Sequence, residues 1–238
     1  MKNSKAIITK VHLWAGLLLG VQVLLWMSSG VIMSWFHIDD VRGTTRAADI
    51  APLAIVLSDG AAPIGQLIAS RSDIAELHLS QRPTGAYFTL TLVDGNTELL
   101  DAQSLQGLIP LPEAAIKAAA KADYTGTAAL KSLTLLETTP KEYRKETPVW
   151  QAQFADRRQT RLYIDPVTGE IKSRRNAIWR LYDFFWMLHI MDYQERENFN
   201  NPLLKAASAT GFTFAISGLC LVWFRFRSGR YRLPKRRK

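Results

Sequence analysis

Cysteine is nearly absent from this chain of 238 residues, in which Cys220 stands alone. A single thiol cannot form an intramolecular disulfide, so any domain outside a membrane must be held together by its apolar core. Catalytic motifs are missing as well: there is no nucleophile motif, no phosphate-binding loop and no Cys/His metal cluster. The sequence therefore favours a protein that is not an enzyme, with no catalytic residues and no metal site.

Acidic residues are absent from both ends of the chain. Lys2, Lys5 and Lys10 are the only charged residues among the first ten, and residues 225–238 contain eight Lys and Arg. The two tails thus carry a formal charge of +11, whereas the whole chain carries +9. The segment between the tails is slightly acidic, so the basic character of the protein belongs to its ends.

Two long apolar runs adjoin these basic tails, at residues 11–36 and 203–224. Each is long enough to cross the hydrocarbon core as a helix, which takes about 20 residues. Lys and Arg are enriched on the cytoplasmic side of membrane spans. The pattern predicts two transmembrane helices in a bacterial inner membrane, with residues 1–10 and 225–238 cytoplasmic and residues 39–202 periplasmic.

Each end of the chain also has an alternative interpretation. A cleaved signal peptide has a shorter apolar core of roughly 7–15 residues and a small-residue cleavage site, which Ser28-Ser29-Gly30 matches poorly. A basic tail also occurs in nucleic-acid-binding proteins. Here the tail begins directly at a membrane exit, and the charge rule accounts for it. The predicted partner is therefore the lipid bilayer and no nucleic acid.

The segment between the spans shows one order of elements twice. Residues 111–175 start with the strong helix former PEAAIKAAAKA, continue in alternating strands and end around the turn at 165–169. Residues 39–110 repeat this order in weaker form, with a short helix at 63–69 and a looser turn at 101–107. The predicted fold class is an α+β membrane protein in which two transmembrane helices flank two helix-plus-antiparallel-sheet repeats.

Three stretches resemble a known family. The segment LYIDPVTGEI at 162–171 resembles the end of a PepSY domain, and KVHLWAGL at 10–17 resembles the start of PepSY-associated transmembrane proteins. Leu188-His189 is similar to their second signature. On these motifs the chain resembles a short, two-span member of that family with two PepSY-like repeats, the one at 39–110 being degenerate. The resemblance implies a regulatory or protein-binding role, because PepSY domains occur in the propeptides of peptidases.

A further apolar stretch lies at 177–192, directly before the second span. It is too short to cross a bilayer. An apolar helix of this length is typical of the membrane interface. We predict that it lies on the outer leaflet or under the external domain.

Histidine is scarce, and its positions raise the question of a haem. His78 falls on the polar face of a predicted strand, where a solvated side chain is expected. His12, His37 and His189 lie at the membrane edges, and larger relatives with this signature resemble haem-bearing ferric-siderophore reductases. The resemblance makes His12 and His189, which lie in the family's motifs, candidate ligands of haem b, and His37 is a third candidate by its position alone. By topology His12 and His189 lie on opposite sides of the membrane, so one haem in one chain cannot use both, whereas His37 and His189 share a side.

Small residues repeat along one face of each span. The first stripe contains His12, Gly16, Gly20, Val23, Met27 and Gly30, and the second contains Ala207, Gly211, Ala215 and Gly218. One interpretation is a groove that admits a flat macrocycle beneath His12. The other is close helix packing, between the two spans or between two copies of the chain. We favour packing, and with it self-association or a protein partner.

These observations lead to one hypothesis and two alternatives. The leading hypothesis is a periplasmic PepSY protein anchored in the inner membrane, with a regulatory, peptidase-modulating role exerted through its strand edges. The first alternative is a haem b electron-transfer or ferric-siderophore reductase-type component. The second is an accessory subunit of a larger membrane complex.

Overall fold

The structure is a computed structural model that describes residues 2–49 and 61–228. The chain divides into two compact units. Residues 1–37 and 181–238 form the membrane unit, and residues 38–180 form the sheet unit. The last ten residues of the predicted basic tail lie outside the described residues.

Two long helices make up most of the membrane unit, α1 (Lys2–Trp35) and α6 (Pro202–Arg227). The stretches Ala6–Trp35 and Pro202–Arg227 are long and apolar enough to span a bilayer. Of the apolar 18-residue segment in each helix, only 11% and 6%, respectively, is buried. Core helices of soluble proteins are mostly buried, so this exposure fits helices whose outer surface meets lipid. The predicted spans are present, in longer helices than the apolar runs alone indicated.

The ends of α6 carry clear signals. The side chain of Asn201 accepts a hydrogen bond from the backbone N–H of Leu204, and Pro202 occupies the first turn. Arg225 and Arg227 lie in the last turn, where cations interact favourably with the helix dipole. A further helix, α5 (Ala177–Ile190), starts in the sheet unit and continues into the membrane unit.

The sheet unit begins with the short helix α2 (Ile38–Arg42) and a 3-10 turn at Thr44–Arg46. Helix α3 (Ala61–Ser70) follows, and then an antiparallel sheet in the order β1-β2-β3, formed by Ile74–Arg82, Gly85–Leu92 and Thr97–Asp101. Ile64 and Leu67 of α3 pack on a small core around Phe88 and Leu90. The helix and strands predicted in this weaker half are confirmed.

The second half starts with α4 (Glu113–Asp123). A four-stranded antiparallel sheet follows in the order β4-β5-β6-β7, formed by Leu130–Leu136, Val149–Phe154, Arg161–Ile164 and Ile171–Arg175. Ile116 and Ala120 of α4 pack against one face of this sheet, over Ala152, Phe154 and Leu162. The opposite face carries a second cluster of Tyr143, Val149 and Tyr163. The β4–β5 connection thus covers the face that α4 leaves open.

The turn between β6 and β7 is held by its aspartate. One carboxylate oxygen of Asp165 accepts the N–H groups of Val167 and Thr168 at 2.9 and 2.8 Å. The N–H of Gly169 donates to the carbonyl of Asp165, whose own N–H donates to the carbonyl of Glu170. Gly169 has φ +73°, a conformation that glycine adopts without steric cost.

The end of β3 leads into a turn with the same hydrogen bonds. A carboxylate oxygen of Asp101 accepts the N–H groups of Gln103 and Ser104 at 3.1 and 3.0 Å. The N–H of Leu105 donates to the carbonyl of Asp101, and the N–H of Asp101 donates to the carbonyl of Gln106. Leu105 has φ +53°, at the position that glycine occupies in the other turn. The two halves therefore share a turn geometry that their sequences match only loosely.

Candidate functional site

Within the membrane unit, α1 presents one stripe to the neighbouring helices. Its positions recur at alternating steps of three and four residues, as in the seam of a coiled coil. Ala15 and Leu19 are buried, and Ser29 is completely buried. The full stripe consists of His12, Ala15, Leu19, Gln22, Trp26 and Ser29.

This stripe is rotated from the small-residue face predicted above. A side chain at Gly20 or Gly30 would meet nothing within 4 Å, and Met27 is 68% exposed. Only Gly16 of the predicted glycines touches α6, where a Cβ would come within 2.9 Å of the Phe214 ring. Within one chain the predicted face of α1 is therefore used only in part, because the large and polar residues of α1 select the packed side.

His12 lies against α6. Its ring stacks on the ring of Phe214, with the centroids 4.2 Å apart. The Nδ1 atom lies 2.9 Å from the hydroxyl of Ser217, which itself donates to the carbonyl of Phe214. Because that hydroxyl proton is already used, we assign Nδ1 of His12 as the donor. A Cβ at Gly218 would lie 3.2 Å from the ring, so the glycine makes room for the imidazole.

His189 lies near the end of α5 and contacts α1. Its Nδ1 is 2.8 Å from the hydroxyl of Ser29, and that hydroxyl donates to the carbonyl of Trp26. The same reasoning makes Nδ1 the donor here. Both imidazoles are thus held through Nδ1, and in their neutral form Nε2 carries the lone pair.

The carbonyl groups that end α5 are also capped by side chains. Gln22 donates to the carbonyl of Leu188 at 3.3 Å, and the indole of Trp26 donates to that of His189 at 2.8 Å. Asn201 donates to the carbonyl of Ile190 at 2.9 Å. The last carbonyls of a helix have no partner within the helix, so these three donors satisfy groups that apolar surroundings would leave unpaired.

The structure places two of the predicted haem ligands, His12 and His189, far apart. His12 and Ser29, the partner of His189, are 17 residues apart on α1, which corresponds to roughly 25 Å along a helix. His37 is exposed and follows the end of α1, whereas Ser29 lies nearly two turns before that end. One macrocycle held by both His12 and His189 of a single chain does not fit this geometry. His78 is a solvated strand residue beside Glu76, as expected.

The loop between α5 and α6 is organised by Asp192. Its carboxylate accepts backbone N–H groups from Asn198, Glu197, Gln194 and Glu195. These hydrogen bonds, with that from Asn198 the strongest, lower the pKa of Asp192 to about 2. The loop is thus a fixed connection between the two helices.

Arg196 ties the same loop back to α5. Its guanidinium donates to the carboxylate of Asp183 at 2.6 Å, and its carbonyl accepts from the indole of Trp186 at 3.1 Å. Asp183 is buried within α5, whose other residues are mostly apolar. An acid in such a helix, followed by an arginine in the next loop, was the only sequence signal for this contact.

In the sheet unit, Glu142 is the centre of a polar cluster that the sequence did not reveal. Its carboxylate accepts from Arg180 at 2.7 Å, from Arg161 at 2.8 Å and from the hydroxyl of Tyr163 at 2.7 Å. Burial alone would raise the pKa of Glu142, but these hydrogen bonds outweigh it and lower the pKa to about 2. Burial and the neighbouring carboxylate raise the pKa of Tyr163. The cluster fastens the start of α5 to the sheet.

Two of the edge strands, β1 and β4, differ in how many charged side chains they carry against pairing with other chains. Strand β1 ends the three-stranded sheet and carries Glu76, His78 and Arg82. Strand β4 ends the four-stranded sheet, and Lys131 is its only charged residue. Charges on edge strands discourage pairing with other chains. Strand β4 is therefore the more receptive edge.

Comparison with protein families supports the membrane interpretation. A family model described as the PepSY-associated TM region matches residues 9–238. Comparisons with curated proteins and with solved structures find no match.

The two glycines at 16 and 20 provide a matched test of the α1–α6 contact. We expect Gly16→Val to destabilise the detergent-solubilised protein by about 1–3 kcal/mol, because the new side chain overlaps Phe214. Gly20→Val should be nearly neutral, since its site is open. Thermal unfolding followed by tryptophan fluorescence measures both changes. Equal effects of the two substitutions would contradict the packing of α1 on α6. A changed oligomeric state for Gly20→Val alone would assign self-association to the open face at Gly20.

The Glu142 cluster predicts a pH dependence. The pKa of Glu142 is depressed from 4.5 to about 2. The carboxylate of Glu142 therefore stabilises the fold fully above about pH 4.5, and this stabilisation is lost as the pH falls through about 2. We expect Glu142→Gln to cost on the order of 2 kcal/mol at neutral pH and to remove this acid-sensitive part. Urea unfolding at several pH values measures it. The exposed Glu137→Gln is the control, and an unchanged pH profile in Glu142→Gln would refute the assignment.

Proposed function

The protein belongs to the family of PepSY-associated transmembrane proteins, and on that premise we propose that it anchors a regulatory, protein-binding domain to the bacterial inner membrane. The two helix-and-sheet halves would be its PepSY modules, the first degenerate. Their shared order and their equivalent aspartate turns support this assignment. The partner would be a periplasmic protein, with peptidases as the leading class.

The proposed topology follows from charge. Both termini would be cytoplasmic, because the basic residues flank the N-terminal end of α1 and the C-terminal end of α6. The intervening residues 39–202 would then be periplasmic. In this arrangement the sheet unit is presented to soluble partners while α1 and α6 hold it at the membrane.

Strand addition at β4 is the mode of binding that the sheet supports best. The N–H of Phe154 in β5 points toward β6, where it donates to the carbonyl of Thr160. Pairing alternates along the strand, so Leu133 and Leu135 of β4 direct their backbone N–H and C=O groups away from β5. An extended segment of another protein can form hydrogen bonds with these groups. This nearly uncharged edge is the observation that carries the proposal.

A charge at this edge tests the proposal. Leu135 is 39% exposed, so Leu135→Lys places an ammonium group on the edge with little loss of core. We expect at least about tenfold less crosslinked periplasmic partner, measured by quantitative mass spectrometry after crosslinking in intact cells. Ala114→Lys, on the exposed face of α4, is the matched control.

Two outcomes would contradict strand addition. One is recovery of the same partner at the same level with Leu135→Lys. The other is the absence of any partner in crosslinked membranes that contain the wild-type protein. The peptidase-modulating role requires in addition that the captured partner change its peptidase activity when the full-length protein is present.

One observation favours the haem alternative as a second candidate. Histidines that ligate metals are usually held by a hydrogen bond from their other ring nitrogen. His12 and His189 are both held in this way, through Ser217 and Ser29. Because His12 and Ser29, the partner of His189, lie far apart on α1, each histidine would serve a different haem.

A visible spectrum decides this second candidate. A bound haem b would give an intense Soret band that shifts on reduction with dithionite, and His189→Ala and His12→Ala would each remove part of it. Tryptophan fluorescence confirms folding in the same samples. A colourless, folded preparation from haem-replete cells would exclude the haem function.

A further inference from the structure

A groove of about 770 Å³ lies in the sheet unit. Helix α4 forms one wall, and the β1–β2 hairpin and the start of β7 form the others. Ala48 and Asp49 also line the groove. Much of its surface is apolar and comes from Pro83, Tyr87, Ala118, Ala122 and Ile171.

The groove exists because the β6–β7 turn approaches the β1–β2 hairpin closely. A Cβ at Gly169 would come within 3.1 Å of Pro83 and 3.0 Å of Leu111. Arg82 donates to the carbonyl of Val167 at 3.2 Å across the same contact. The aspartate turn of the second half is thus a docking point for the first half, and the groove lies beside it.

Arg82 places an incompletely compensated cation in the groove wall. Its side chain is only 9% exposed, and its Nε has no hydrogen-bond partner within the described residues. Among the described residues, the nearest carboxylate oxygen belongs to Asp101 and lies 4.0 Å away. The other oxygen of Asp101 already accepts hydrogen bonds from Gln103 and Ser104. A buried guanidinium with so weak a counterion is costly, and an anion beside it would lower that cost.

The other cations around the groove are already paired. Arg174 makes a two-pronged ion pair with Asp123. Lys172, next to the lining residue Ile171, lies 2.6 Å from Glu170. The demand for a negative charge is therefore localised at Arg82, in a lining that is largely apolar but also contains Asp49, Asp123 and Glu170.

We propose that this groove binds the C-terminal end of a peptide. The terminal carboxylate would lie at Arg82, and small apolar side chains would cover Ala118 and Ala122. Gln81 and Thr168 line the same groove and can pair with peptide backbone groups. A fatty acid offers the same carboxylate, but its alkyl chain cannot form hydrogen bonds with Gln81 or Thr168.

This site is separate from the strand edge discussed above. The groove adjoins β7, whereas β4 lies at the opposite end of the four-stranded order. Loss of peptide binding would therefore leave strand addition at β4 intact, and the failure of either proposal can be recognised separately.

Fluorescence anisotropy on the full-length protein in lipid nanodiscs tests the proposal. The probe is a fluorescein-labelled octapeptide that ends in Ala-Leu-Val with a free carboxylate, and it is compared with the same peptide as its C-terminal amide. We expect the acid to bind at least about tenfold more tightly, as a charge-assisted hydrogen bond implies. Equal affinities, or no binding of the acid at millimolar concentration, would overturn the proposal.

Two variants connect the binding to the groove. Arg82→Gln should abolish the preference for the acid over the amide. Because Arg82 also supports the fold, Ala118→Phe is the second variant: it fills the groove from an exposed helix position and should weaken binding at least about tenfold. Ala114→Phe, one turn earlier on α4 and outside the groove, is the matched control. If Ala118→Phe leaves peptide binding unchanged, the groove is not the binding site. If decanoate displaces the labelled peptide at a lower concentration than unlabelled peptide does, a peptide is not the occupant.

Discussion

The end of α5 sets the constraint on which the membrane unit depends. Three successive carbonyl groups, those of Leu188, His189 and Ile190, need donors in apolar surroundings. Gln22 and Trp26 of α1 supply two of them, so these residues must face α5. That requirement fixes the rotation of α1. It places His12 and Leu19 on the same side as α6, and it leaves Gly20 and Met27 facing outward.

The sheet unit depends on a comparable contact between its two halves. The aspartate turn after β6 approaches the first hairpin so closely that a side chain at position 169 would be crowded, and the positive φ of Gly169 also favours glycine there. Each half has a small core of its own, beneath α3 and beneath α4. The turn joins these cores and creates the groove beside Arg82. A motif that first served to identify a family thus has a direct structural role.

Local patterns were sufficient for most of the secondary structure. Val149–Phe154 alternates strictly and is a strand with those bounds, and PEAAIKAAAKA is a helix. They were not sufficient for the polar contacts. Glu142 lies in a connection without periodicity, and its partners Arg161 and Arg180 are 19 and 38 residues away. Ion pairs between residues so far apart in the sequence cannot be predicted from local periodicity, which relates only residues a few positions apart.

The sequence by itself determined the two apolar helices, the α+β character of the middle segment and the family, because these depend on hydropathy, local propensity and short motifs. The tertiary structure alone decided which face of α1 is packed, how His12 and His189 are held, and where the groove lies. The physical reason is that packing depends on the partner's shape. Phe214 fills the space at Gly16 and leaves Gly20 empty, although the two glycines are indistinguishable in the sequence.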